Sequence, residues 1–130
     1  MKSLVSNFDK VKEFATVFGP DQPYKHSSDY DLMKFDLIEE EFHEASEAFL
    51  HEDPLDSTSA EALLKELVDL LYVVYGYANY RGWDIDTAFN RVHSSNMSKL
   101  GGDGKPIYRE DGKVLKSSLY KKPNLMDLVT

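Results

Sequence analysis

At 130 residues, with 42% hydrophobic and 12% aromatic content, the chain is long enough for one domain with a proper core and too short for two. A net charge of −8 argues against general nucleic-acid binding, which needs a basic surface. The absence of cysteine removes disulfides, thiolate zinc sites and thiol nucleophiles together. No apolar run approaches the ~18 residues that span a bilayer, and Met1 to Asn7 shows no signal-peptide pattern. The expectation is a soluble cytoplasmic protein with neither a membrane nor a nucleic acid as partner. Charge is uneven: acids concentrate between Asp29 and Asp69, whereas Lys99 to Lys122 holds seven Lys/Arg against three acids. An acidic middle suggests metal ions, and a basic tail suggests anions.

In chain order, Leu4, Phe8, Val11, Ala15 and Phe18 recur at helical spacing, and Gly19-Pro20 ends that first helix. A polar connector from Asp21 to Asp29 leads to a second helix over about Tyr30 to His51. Its apolar ridge is Phe35, Ile38, Phe42, Ala45 and Phe49. Glu41 and Glu44 border that ridge, which suggests a semi-buried site. Asp53 to Ser57 reads as a loop, and Thr58-Ser59-Ala60-Glu61 as a capping box starting a third helix that runs to about Tyr80. This third helix is apolar nearly all round and should be central in the fold or in an oligomer. Arg81-Gly82 closes it, and Asp84 or Asp86 caps a fourth helix with Ile85, Ala88, Phe89, Val92 and Asn96 along one face. Beyond Gly101-Gly102 the pattern changes. Asp111-Gly112 between two short β-prone runs signals a hairpin, and the end of the chain reads as an arm needing something to lie against.

The chemistry concentrates in two acidic motifs. Glu41 and Glu44 are three residues apart, as are Glu66 and Asp69, and Glu40 lies one turn before Glu44. Joining the two helix faces would converge five carboxylates. Like charges that close require cations, and hard divalent ions such as Mg²⁺ suit oxygen ligands. Glu66 and Asp69 are the acids within the apolar run of the third helix, where unpaired charge would be prohibitive.

Glu40-Glu41-x-x-Glu44, followed by Glu66-x-x-Asp69 at the head of an apolar helix, resembles the MazG-like all-α nucleoside triphosphate pyrophosphohydrolases. Asp69 to Gly76 is similar to the family's central helix, and Asn96-x-x-Lys99 to its Asn-x-x-Lys segment. Asp111 to Lys116, with Pro123 after it, is similar to the tail of the compact subgroup that includes dimeric dUTPase-like members. The resemblance covers roughly Asn7 to Pro123. It implies one all-α domain over 1–130, with a helical core of about 3–100 and a hairpin-like tail of about 101–130. The four-helix bundle would be completed by oligomerisation, as a homodimer or a dimer-of-dimers tetramer.

The implied activity is hydrolysis of (deoxy)nucleoside triphosphates to monophosphate and pyrophosphate, for nucleotide-pool control or housecleaning. Two or three Mg²⁺ ions, with Mn²⁺ as a substitute, would be held by Glu41, Glu44, Glu66 and Asp69. Glu40 would be either a further ligand or the carboxylate that takes the proton from the attacking water, with Glu41 alongside it in the catalytic pair. Asn96 and Lys99 would meet phosphate oxygens, and Arg109, Lys113 and Lys116 could close over the triphosphate. Asn7 would hydrogen-bond the base, with Phe14 or Phe18 as an apolar wall. Two alternatives stand beside this reading: phosphoribosyl-ATP pyrophosphohydrolysis, whose fold is related, and a non-catalytic helical dimer stabilised by metal. Glu40-x-x-His43 also fits the Glu-x-x-His element of di-iron bundles, but the third helix offers Glu66-x-x-Asp69 in place of a second copy.

Overall fold

The computed structural model describes residues 5–19 and 27–130 and falls into two compact units, Met1–Trp83 and Asp84–Thr130. Leu4 and Pro20, together with the connector as far as His26, lie outside the described residues. The expected all-α class holds. Among the described residues, three helices form the first unit: α1 (Asn7–Phe18), α2 (Ser28–Leu50) and α3 (Ser57–Arg81). The second unit contains α4 (Ile85–Met97), a hairpin of β1 (Ile107–Tyr108) and β2 (Val114–Leu115), and a short α5 (Met126–Val129).

Local chemistry sets the helix ends. Ser6 caps α1 through a reciprocal capping box with Asp9. Helix α3 starts earlier than the Thr58–Glu61 pattern predicts. Asp56 is its N-cap and accepts from the Thr58 N–H. Ser59 instead ties the preceding loop: its hydroxyl donates to the Asp53 and Asp56 carbonyls and accepts from the Asp53 N–H at 2.9 Å. At the other end Gly82 takes φ 75°, and the Trp83 N–H reaches the Ala78 carbonyl at 2.9 Å. This is a Schellman-type stop that needs a residue without Cβ.

Helix α3 packs against both α2 and α1. Antiparallel pairing of α2 with α3 follows from the contacts. Tyr30 meets Tyr80 with ring centroids 5.7 Å apart, Phe35 meets Tyr77 at 5.5 Å, and the Tyr80 hydroxyl donates to Asp31 at 2.6 Å. Buried Phe8 and Val11 seat α1, with Phe8 stacked on Tyr75.

The expected orientation of α2 needs correction. Its less exposed stripe is Asp31, Lys34, Ile38, Glu41, Ala45 and Ala48, spaced by threes and fours. Phe35, Phe42 and Phe49 of the expected ridge are instead 52%, 57% and 68% exposed. Small alanines allow close approach to α3, and the acids share that approach, so Phe42 and Phe49 are left exposed and Phe35 meets Tyr77 only from the edge of the interface. Helix α3 likewise leaves Leu64, Leu67, Val68 and Leu71 exposed.

In the second unit, the β1–β2 register pairs Ile107 with Leu115 and Tyr108 with Val114. Gly112, at φ 88°, makes the turn the sequence signals. The C-terminal arm lies along α4. Ser95, the buried polar residue of α4, donates to the Lys121 carbonyl at 2.7 Å, and Arg91 makes a two-pronged ion pair with Asp127 at 2.6 and 3.1 Å.

Two glycines in or next to α3 should respond oppositely to alanine. Gly82→Ala forces a Cβ into a left-handed conformation and should lower unfolding free energy by about 1 kcal/mol. Gly76 sits mid-helix, and an added Cβ there meets nothing within 4 Å. Gly76→Ala should raise stability by roughly 0.5–1 kcal/mol. Urea unfolding of the two variants checks both signs.

Candidate functional site

Midway along the α2–α3 pair, the stripe of each helix brings acids to the shared face. Glu41, Glu66 and Asp69 each offer a carboxylate oxygen, and all three oxygens lie within 4.8 Å of one another. Glu41 Oε2 and Glu66 Oε2 are buried and have no hydrogen-bond partner. Burial pushes the Glu41 carboxyl above its usual range, helped by a hydrogen bond that its protonated form donates to the Glu44 carboxylate and by the charges of Glu44, Asp69 and Glu66. An orphaned buried oxygen on two of three converging carboxylates is a site short of positive charge. The all-oxygen donor set fits a hard divalent cation.

Of the five acids expected to converge, the structure brings Glu41, Glu66 and Asp69 together and sets Glu44 beside Glu41. Glu40 and Glu44 both stand exposed on α2, outside this three-residue group. Positive charge comes from a residue the spacing argument passed over. Lys65 Nζ lies 2.6 Å from Asp69 Oδ2 and 3.7 Å from Glu66 Oε1. Its hydrogen bond to Asp69 and the neighbouring carboxylates raise its pKa. The signal was present, since Lys65 and Asp69 stand at i and i+4 on one helix face.

The remaining candidates fall elsewhere. Asn7 is exposed at the first residue of α1. Phe14 meets Tyr72 edge-on at 5.6 Å and Phe18 at 4.7 Å, and Tyr72 follows Asp69 by less than one turn. The aromatic patch and the acids are thus neighbours along α3. In the second unit Asn96 is exposed in the last turn of α4, and the Lys99 N–H bonds its carbonyl at 3.2 Å. Arg109 is engaged by Asp111 across the hairpin turn, with Nε to Oδ1 at 2.9 Å. The Lys113 N–H donates to the same carboxylate, and Lys116 Nζ stands 4.6 Å over the Tyr120 ring.

Comparison with known proteins gives three findings. A family model described as phosphoribosyl-ATP pyrophosphohydrolase matches residues 11–96. An uncharacterized protein of Acanthamoeba polyphaga mimivirus is 34% identical over 95 residues, covering 48% of this chain and 38% of that protein. The chain therefore spans under two-fifths of that relative's length. A crystal structure of a candidate NTP pyrophosphohydrolase from Exiguobacterium sp. 255-15 aligns over 92% of this chain and 90% of that one, with 24% identity and a TM-score of 0.48.

A carboxyl whose folded pKa is raised weakens the fold as pH climbs from its unfolded value, near 4.5, through the folded one. Glu41→Gln should therefore match wild type in EDTA at about pH 4 and become the more stable protein by about pH 8. Added Mg²⁺ or Mn²⁺ should raise the wild-type Tm and leave that of the variant nearly unmoved. Thermal unfolding across that pH range, with and without the ion, tests both.

Proposed function

The chain belongs to the phosphoribosyl-ATP pyrophosphohydrolase family, and from that premise we propose that it hydrolyses (deoxy)nucleoside triphosphates to monophosphate and pyrophosphate. The observation that carries this is the meeting of Glu41, Glu66 and Asp69 with two orphaned buried oxygens among them. These residues would hold Mg²⁺, with Glu44 as a further donor. Bound there, the ion would supply positive charge to the phosphate oxygens and lower the pKa of the attacking water. Water attacks one phosphorus of the α–β bridge in line, and the bridging bond breaks toward the leaving group. Glu40, exposed on α2 one turn before Glu44, would be either a further ligand or the group that takes the water's proton.

Asn96 and Lys99 would steady the phosphate chain, with Lys113, Lys116 and Arg109 contributing from the hairpin. Arg109 would first have to exchange Asp111 for the substrate. The base would rest against the Phe14 and Phe18 rings, near Asn7. A second substrate, phosphoribosyl-ATP, is favoured by the description of the matching family, and its reaction breaks the same kind of bond. Supporting a homodimer are the exposed stripes of both helices, Phe35, Phe42 and Phe49 on α2 and Leu64, Leu67, Val68 and Leu71 on α3.

Pyrophosphate release from eight ribo- and deoxy-NTPs and from phosphoribosyl-ATP, with Mg²⁺ or EDTA, tests the reaction. Turnover of one or a few substrates is expected, abolished by EDTA and reduced at least about a hundredfold in Glu66→Gln. No turnover of any of them, with the ion still raising Tm, would overturn catalysis and favour a metal-stabilised binding role. Sedimentation tests the assembly: wild type should run as a dimer or larger, and Leu71→Glu should shift it toward monomer. A monomeric wild type would sink that part of the proposal.

A further inference from the structure

We propose that Lys65 is a built-in counter-cation of the carboxylate group, holding the metal-free site together and leaving it when a divalent ion enters. The inference rests on the reading of Glu41, Glu66 and Asp69 as the ion's ligands. Geometry supports the placement. The ammonium bridges two of the three carboxylates, at 2.6 Å from Asp69 and 3.7 Å from Glu66, and the charge of Glu41 on α2 also acts on it. Without it, three acids would face one another with no cation of the described residues recorded at contact distance.

The same contact sets up a competition. An ion drawing on Asp69 would share that carboxylate with a positive charge 2.6 Å away. Two unlike occupants of one carboxylate repel when both are cations. The Lys65 side chain is 66% exposed, against 33% for Asp69 and 21% for Glu66. Its four-carbon stem can therefore swing into water while the ligands stay in place. Lys65 would thus lower the site's affinity for divalent ions and keep its acids assembled in their absence. It acts on the ion through charge and not on the substrate, so it is a positioning residue.

The test is Mn²⁺ binding to the full chain without nucleotide, followed by calorimetry and by the paramagnetic signal of the free ion. Lys65→Met keeps the stem and removes the charge. It should bind Mn²⁺ about fivefold more tightly at low salt, with a gap that narrows as salt rises. Its Tm in EDTA should fall, and its gain on adding Mn²⁺ should exceed that of wild type. Lys105→Met changes net charge equally at an exposed turn and should show neither effect. Lys65→Arg restores a cation and should return toward wild-type affinity.

If wild type binds Mn²⁺, Asp69→Asn does not, and Lys65→Met binds no tighter than wild type, the counter-cation proposal is wrong while the metal site stands. If neither wild type nor Lys65→Met binds the ion, both readings fall together. Binding seen in Lys65→Met alone would support the proposal.

Discussion

Three carboxylates meeting between two packed helices is the constraint on which the rest of this molecule turns. Such a meeting is unfavourable alone, and the α2–α3 pair supplies the stabilisation elsewhere along its length. At one end the Tyr30–Tyr80 and Phe35–Tyr77 contacts and the Asp31–Tyr80 hydrogen bond clamp the helices. At the other, Asp53, Asp56 and Ser59 knit the connecting loop and the first turn of α3. Ala45, one turn from Glu41, is buried and gives the close approach between them. The acids are thus held in the middle of a helix pair fastened at both ends. That geometry keeps the three carboxylates in register.

Placing a polar site inside a helix interface has a consequence for the core. The stripe that α2 turns to α3 contains Asp31, Lys34 and Glu41, so Phe42 and Phe49 stay exposed and Tyr30 and Phe35 meet α3 only from the border of that stripe. Among the described residues the buried apolar side chains are few and mostly small: Phe8, Val11, Ala45 and Ala78. A chain of this length ordinarily buries well over half of the surface its unfolded form exposes. The exposed leucines of α3 and phenylalanines of α2 are therefore unused driving force, which is the physical argument for burying them against another copy of the chain.

Much of this was legible in the sequence because it is encoded locally. Gly82, the Asp84 or Asp86 cap and the Asp111-Gly112 turn act within a few residues of themselves, so spacing places them. The Ser6–Asp9 capping box is as local but goes unread because the apolar pattern begins at Leu4. The Glu66–Asp69 pair was legible for the same reason, since three-residue spacing fixes a shared face, whereas Glu44, three residues from Glu41, stays exposed beside it. The orientation of α2 was not. A helical wheel assigns the inner face to the largest apolar stripe, but here a partner helix bearing Glu66 and Asp69 selects the stripe carrying Glu41. That choice is made by tertiary contact. The loop before α3 offers Asp53, Asp56, Ser57, Thr58 and Ser59 as rival caps, and only the path of the chain decides for Asp56. Arg91 with Asp127 and Ser95 with Lys121 join positions with no periodic relation, so no pattern announced the docking of the arm on α4.

Lys65 shows how far electrostatics can be read once the geometry is known. Three kinds of positive charge can serve this site: a proton on Glu41, the ammonium of Lys65 and a divalent ion. The first is favoured by burial and the second by the i to i+4 spacing. Neither alone serves both of the oxygens that remain without partners. A single proton satisfies one carboxyl, and the ammonium sits on Asp69 Oδ2 and nears the outer oxygen of Glu66, whereas the orphans are Oε2 of Glu41 and Oε2 of Glu66. A compact ion of charge two could draw on one oxygen each from Glu41, Glu66 and Asp69, which lie within 4.8 Å of one another. The three oxygens therefore suit a hard divalent cation, as the proposed function requires, and in the counter-cation proposal the lysine partly substitutes for it.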